Sequence, residues 1–230
     1  MVLIVASRVD ASAPRLASAL HECPARVLTP LDLSRPGWRV FSGRPGSDIG
    51  IVDGEAVESR RVEGVVCLLP RVFPRELVHI EAEDRAYVAE EMTAFLIFWL
   101  STLACPKMNA PTAGCLSGPL WSQVHWLAAA ASAGLPITPH RRSTQSSDRS
   151  SSEFRRTVTV VGPRTIGDDD GDLRRYARLL ASWAGMHLLS VHFTETPDGP
   201  RFSGVDPFPE LATPAALEGV LAFFDEGLRA

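Results

Sequence analysis

Lysine is nearly absent from this 230-residue chain: of its 23 basic residues only Lys107 is a lysine, and the others are arginine. Chemistry that needs a compact ammonium charge, rather than the planar arginine fork, has one residue to draw on. Cysteine is sparse as well. The four present, Cys23, Cys67, Cys105 and Cys115, include no CxxC pair, which excludes a zinc site of standard spacing and argues against a disulfide framework. No apolar run is long enough to cross a bilayer: the longest, Met92 to Cys105, falls short of the roughly 20 residues required and directly follows Glu90 and Glu91. The opening Met-Val-Leu-Ile-Val-Ala-Ser is too short for a signal-peptide apolar region and lacks a basic lead-in. Excess positive charge is also missing. A net charge of −4 gives no reason to expect nucleic acid or an anionic membrane as partner. These absences predict a soluble, cytoplasmic protein kept in a reducing compartment.

What is present is an ordinary globular composition, 45% hydrophobic and 22% charged, enough for one large domain or two small ones. Val2 to Ala6 is a continuous apolar run followed by a helical pattern from Ser12, the usual opening of a parallel α/β layer. The intervening turn has no glycine and so lacks the GxGxxG dinucleotide fingerprint. Arg26 to Thr29 and Val62 to Leu69 read as further strands, and Asp32 to Ser47 as loop. Ile49 to Val57 reads as a hairpin turning at Asp53-Gly54. From Ile80 to Leu103 apolar residues cover most of a helix surface. A helix apolar nearly all round is either central in the fold or part of a dimer interface.

Cys105 to Pro111 reads as a short strand and loop. A helix is expected from Pro119 to Ala133, stopped by Gly134, then a strand over Leu135-Pro-Ile-Thr138. Arg141 to Glu153 is serine-rich and polar, with the composition of a flexible segment. Beyond it the pattern gives a strand at Thr157 to Val161, a helix from Asp172 to Ala184 ended by Gly185, a hairpin of Leu188 to Thr194 with Arg201 to Val205, and a last helix from about Thr213. The run Asp168, Asp169, Asp170 precedes a helix N-terminus, where negative charge is favourable.

The C-terminal hairpin carries the most information. Its second strand, Arg201-Phe-Ser-Gly-Val-Asp-Pro-Phe-Pro-Glu-Leu211, resembles the closing strand of ATP-grasp carboxylate–amine ligases. Asn109-Ala-Pro111, the helix after Trp121, Leu135 to Thr138 and Thr157 to Val161 resemble earlier segments of that family in the same order. The chain is most similar to short, divergent relatives of RimK-type ligases. The resemblance implies an α/β fold, with an N-terminal parallel α/β layer over residues 1–104 and its long buried helix. A reduced ATP-grasp-like α+β domain over 105–230 would follow, lacking most of the phosphate-covering lid and flexible at 141–155.

ATP-grasp enzymes activate a carboxylate as an acyl phosphate, with magnesium bridging the phosphates and cationic side chains neutralising the charge that moves. The resemblance therefore implies ATP and magnesium as cofactors, a small molecule or peptide as substrate, and a second copy or partner enzyme. It assigns nucleotide contacts to Arg141, Arg142 and Asn109, and catalysis to Arg155, Arg156 and Asp206. The departures fall on the same parts. No lysine lies in the lid region, His192 stands where the family offers an acid, and Gly204 and Asp206 stand where it offers a glutamate and an asparagine. Magnesium prefers several oxygen ligands; His192 with Asp206 and Glu210 would better suit a transition metal. The departures predict a binding or partner protein of a biosynthetic pathway, a pseudoenzyme with ligation lost or weakened. The alternatives are an active ligase completed by a partner's lid, and a transition-metal enzyme or sensor.

Overall fold

The computed structural model describes residues 1–20, 24–41, 47–138, 155–211 and 213–227. They form two compact units, one of Met1–Leu120 with Glu210–Ala230 and one of Trp121–Pro209.

The first unit is built on a parallel sheet. β1 (Val2–Val5) lies between β2 (Ala25–Leu28) and β5 (Gly64–Cys67), and β6 (Lys107–Met108) completes the order β2-β1-β5-β6. All four residues of β1 and of β5 are buried, which is why each reads as an unbroken apolar run rather than an alternating one. Helices α1 (Ser12–Ala19), α2 (Pro30–Leu33) and α3 (Arg85–Thr102) belong to this unit. So does α6 (Pro214–Gly227), whose Phe224 sits so close to Gly64 that a Cβ there would meet its ring at 2.4 Å.

A hairpin of β3 (Ile49–Val52) and β4 (Glu55–Glu58) turns at Asp53 and Gly54, with φ of 50° and 74°. That pair of left-handed residues is the turn that a two-residue hairpin favours. The Gly54 amide donates to the buried Asp32 carboxylate at 3.1 Å, and Asp32 also accepts from Thr29 in a capping box at the start of α2. The expected loop from Asp32 thus begins inside a short helix; residues 42–46 of it lie outside the described set.

Helix α3 starts at Arg85 rather than Ile80, because residues 81–84 form turns and Asp84 stands at its N-terminus. Trp99 is its core anchor. Fully buried, it donates from Nε1 to Ser59 Oγ at 3.0 Å and meets Trp38 edge-on at 5.1 Å between ring centres. The chain's only lysine serves this helix: the Lys107 ammonium donates to the carbonyls of Leu103 and Cys105 just past the helix end, where positive charge is favoured. No helix of the described residues is long and apolar enough to cross a membrane.

The second unit packs α4 (Gln123–Ser132) and α5 (Gly171–Ala184) on an antiparallel sheet of order β10-β9-β7-β8. The strands are β7 (Arg155–Val161), β8 (Arg164–Gly167), β9 (Leu188–Thr194) and β10 (Arg201–Asp206). β8 is a strand the sequence pattern does not announce, since Arg164-Thr-Ile-Gly167 is short and contains one large apolar residue. α4 begins at Gln123 with Ser122 as its cap, leaving Pro119 outside the helix. Leu135 to Thr138 contributes one parallel bridge, Ile137 to Phe202, instead of a full strand. Trp121 packs against Trp126 and Trp183 at 4.7 and 5.7 Å between ring centres.

Because Trp99 fills the centre of the first unit and satisfies its own indole donor, Trp99→Ala leaves both a cavity and an unpaired Ser59 hydroxyl. Thermal unfolding should show a loss of about 3–5 kcal/mol, and an unshifted midpoint would contradict the placement of α3 in this core.

Candidate functional site

The site arises from the two-residue period of β7 and β9. Val158 and Val160 of β7, Leu189, Val191 and Phe193 of β9, and Phe202 of β10 pack with Leu173, Ala177, Leu180 and Ala181 of α5. Alternation then sends Thr157, Thr159, Ser190 and His192 to the opposite face. In register, Thr157 lies opposite His192 and Thr159 opposite Ser190, while β10 brings Asp206 opposite Ser190 and Gly204 opposite His192. The result is a polar face on the far side of the sheet from the apolar core.

The members of this face hold one another. Thr157 Oγ1 lies 3.0 Å from His192 Nδ1, and Thr159 Oγ1 lies 2.6 Å from Ser190 Oγ. Burial lowers the His192 pKa below its ordinary 6.5, and the positive charge of Arg155 lowers it further, against the opposing pull of Asp206. The imidazole is therefore neutral at pH 7, with Nδ1 engaged by Thr157. Asp206 is half-buried, and its Oδ1 accepts the Phe208 amide at 2.9 Å, closing the turn that its place before Pro207 suggests. Gly204 leaves the position beside His192 without a side chain, where the nearest atoms to an added Cβ would be those of Gln123 at 3.6 and 3.8 Å.

Of the residues expected to act together, Arg155, His192 and Asp206 share this face. Arg156, one position on from Arg155, points the other way. Its guanidinium makes a two-point bond to Asp168, 2.7 Å on each arm, and also reaches Asp170 at 3.2 Å and Glu195 at 3.5 Å. These are charge-assisted bonds of the strong, bidentate kind. Arg156 in turn holds the Asp168 carboxyl down to about 2. Asp170 caps α5 by accepting the amides of Asp172 and Leu173, so the acidic run fastens the β8–α5 corner. This bond network accounts for Arg156 as a structural clamp.

Asn109 belongs to the first unit, buried just past β6 with a left-handed φ of 67°, a conformation that asparagine tolerates better than most residues. Glu210 is exposed and also belongs to the first unit. Arg141 and Arg142, with the serine-rich segment, lie outside the described residues. Among the described residues no three His, Cys, Asp or Glu side chains converge as a metal centre would require. Cys67 and Cys115 are buried, and burial raises both thiols, Cys67 to about 12. Neither is a thiolate at neutral pH.

The hydroxyls of Thr157, Thr159 and Ser190 were not singled out from the sequence. Their signal was available in the alternation Thr157-Val-Thr-Val160 set beside Ser190-Val-His-Phe193, where polar residues recur at every second position of two paired strands.

No protein-family model matches the chain, and no curated protein matches it in sequence. Solved structures do match in fold. The macrocyclase MdnC of Microcystis aeruginosa, bound with precursor peptide MdnA, superposes with a TM-score of 0.72 at 14% identity, over 100% of this chain and 99% of that one. The ATP-grasp ligase PsnB, complexed with a minimal precursor, gives 0.67 at 12% identity over 96% and 98%. D-alanine-D-alanine ligase from Aeromonas hydrophila gives 0.52 at 14% identity over 99% and 98%. The chain has the ATP-grasp fold.

The His192 environment makes a direct prediction for titration by NMR. Its midpoint should lie below 6.5, rise in Arg155→Gln and fall further in Asp206→Asn. Because the folded-state value is lowered, the neutral ring's contribution to stability is present above pH 6.5 and lost as pH falls below it. A midpoint at or above 6.5, or one insensitive to both substitutions, would contradict the shared face.

Proposed function

We propose that this ATP-grasp-fold chain is a peptide-binding protein of a biosynthetic pathway in which its own ATP-dependent ligation is lost or strongly weakened. The observation that carries the reading is the charge inventory of the polar sheet face. Among the described residues it offers one carboxylate, Asp206, already accepting a backbone amide, beside a neutral imidazole and a glycine. Magnesium seeks several hard oxygen ligands at short range, and a breaking triphosphate needs fixed positive charge around it. Of the four arginines expected to supply that charge, Arg141 and Arg142 lie outside the described residues, and Arg156 is committed to Asp168, Asp170 and Glu195. A peptide as ligand is supported by the fold relatives, since MdnC and PsnB were solved with precursor peptides.

A second reading, an active carboxylate–amine ligase, draws on the shared face of Arg155, His192 and Asp206. In that reading Asp206 is the metal-side carboxylate, Arg155 meets the phosphates, and ATP with magnesium is the cofactor, as the magnesium and ADP bound to PsnB would suggest.

Calorimetric titration with ATP and magnesium separates the two. Loss of ligation predicts no binding tighter than ~1 mM and no ADP release when an amine is supplied. Micromolar binding with ADP release, both abolished by Asp206→Ala in a folded protein, would overturn it in favour of the active ligase.

A further inference from the structure

Helix α3 is apolar on more than one side. Its inward side, with Ala89, Leu96, Trp99 and Leu100, is buried in the core of the first unit. Its outward side carries Tyr87, Glu91, Ala94 and Phe98, spaced 4, 3 and 4 residues apart and so aligned along one stripe of the helix. Tyr87 is 67% exposed and Phe98 50% exposed, so two large rings stand in solvent on a helix already anchored by other residues. Beside the stripe runs a groove of about 490 Å³ between α3 and the segment after α2. Leu33, Trp38, Met92 and Phe95 form its apolar wall, and Arg35 and Glu91 stand at its polar edge. Stripe and groove meet at Glu91, making one continuous surface about 17 Å long from Tyr87 to Phe98.

The charge around this surface is one-sided. Glu81, Glu83, Asp84, Glu90 and Glu91 are all exposed, and none has an ion-pair partner among the described residues. The helix dipole explains the acids just ahead of its first turn, Glu83 and Asp84. It does not explain Glu90 and Glu91, which lie beyond its reach. Of the nearby bases, Arg85 donates to the carbonyls of Ile80 and Val78, Arg35 pairs with Asp32 at 3.7 Å, and Arg75 lies over the Phe73 ring at 4.6 Å; none of them is paired with these acids.

We propose that the outer face of α3 and its adjoining groove form a docking surface for a basic amphipathic segment of a partner protein. Apolar side chains at helical spacing would cover Tyr87, Ala94 and Phe98 and enter the groove, and flanking lysine or arginine residues would meet Glu90 and Glu91. Charge complementarity selects this occupant over a second copy of the chain. A two-fold pairing of α3 with itself would bring Glu90 and Glu91 of both copies together around one axis. Apolar contact supplies the affinity and the acids set the sign of the partner.

The test is fluorescence anisotropy with the full chain and a labelled amphipathic peptide of leucine and lysine, against the same peptide with glutamate for lysine. The lysine peptide should bind, and the glutamate peptide should bind at least about tenfold more weakly. Tyr87→Ser/Phe98→Ser should weaken the lysine peptide about tenfold or more at all salt concentrations. Glu90→Gln/Glu91→Gln should weaken it mainly at low salt and flatten the salt dependence. All four positions are exposed or at the helix rim, and circular dichroism reports whether the variants keep their fold. Equal affinity for both peptides, no binding of the lysine peptide, or insensitivity to both double variants would overturn the proposal. So would sedimentation equilibrium showing a dimer that Tyr87→Ser/Phe98→Ser dissolves, which would assign the face to a second copy.

Discussion

The alternation of side chains along β7 and β9 is the constraint from which the rest of the second unit follows. Valine, leucine and phenylalanine at every second position must be covered, and α5 covers them with Leu173, Ala177 and Leu180. Once that face is fixed, a one-residue slip of register would bury hydroxyls and an imidazole under the helix. The polar set of Thr157, Thr159, Ser190 and His192 is therefore locked together by the same packing that holds the unit closed. The pairing with β10 then adds Asp206 and withholds any side chain at Gly204.

The arginine bias of the chain shapes what this face can do. An arginine fork binds a carboxylate through both of its oxygens, and Arg156 does so with Asp168 while also reaching Asp170 and Glu195. That clamp ties β7 to the β8–α5 corner and uses the charge it contributes. The single lysine is placed on the carbonyls at the end of α3. Among the described residues, cationic charge on the polar face thus rests on Arg155, whose field helps keep His192 neutral. A neutral imidazole with one nitrogen bound to a threonine hydroxyl, next to one carboxylate, suits recognition of polar groups better than the neutralisation of a triphosphate.

Much of the fold was legible because local signals agreed with tertiary demands. The continuous runs of β1 and β5, the Asp53-Gly54 hairpin, the Gly185 stop with its φ of 63° and the terminal hairpin each stand where residue pattern and turn chemistry place them. Boundaries shifted where a cap overruled a composition cue, as at α4, where Ser122 rather than Pro119 starts the helix. β8 was invisible because an edge strand of four residues needs little apolar content to pair. For the site, the resemblance led to Asp206, His192 and Arg155, which do share a face. It could not tell Arg155 from Arg156, since only the register of β7 decides which neighbour faces the acids of the α5 corner. Asn109 and Glu210 fall in the other compact unit, a matter of chain return that no local pattern encodes.

The central claim is that the face formed by Thr157, His192, Ser190 and Asp206 is too poor in charge to hold a divalent cation with a nucleotide. Manganese offers the most direct reading, because a bound paramagnetic ion broadens the resonances of the side chains around it. With Mn²⁺ and a non-hydrolysable ATP analogue added to the protein, the account predicts that the His192 ring signals stay sharp at stoichiometric metal. Their selective loss at one equivalent, reversed by Asp206→Asn, would contradict it.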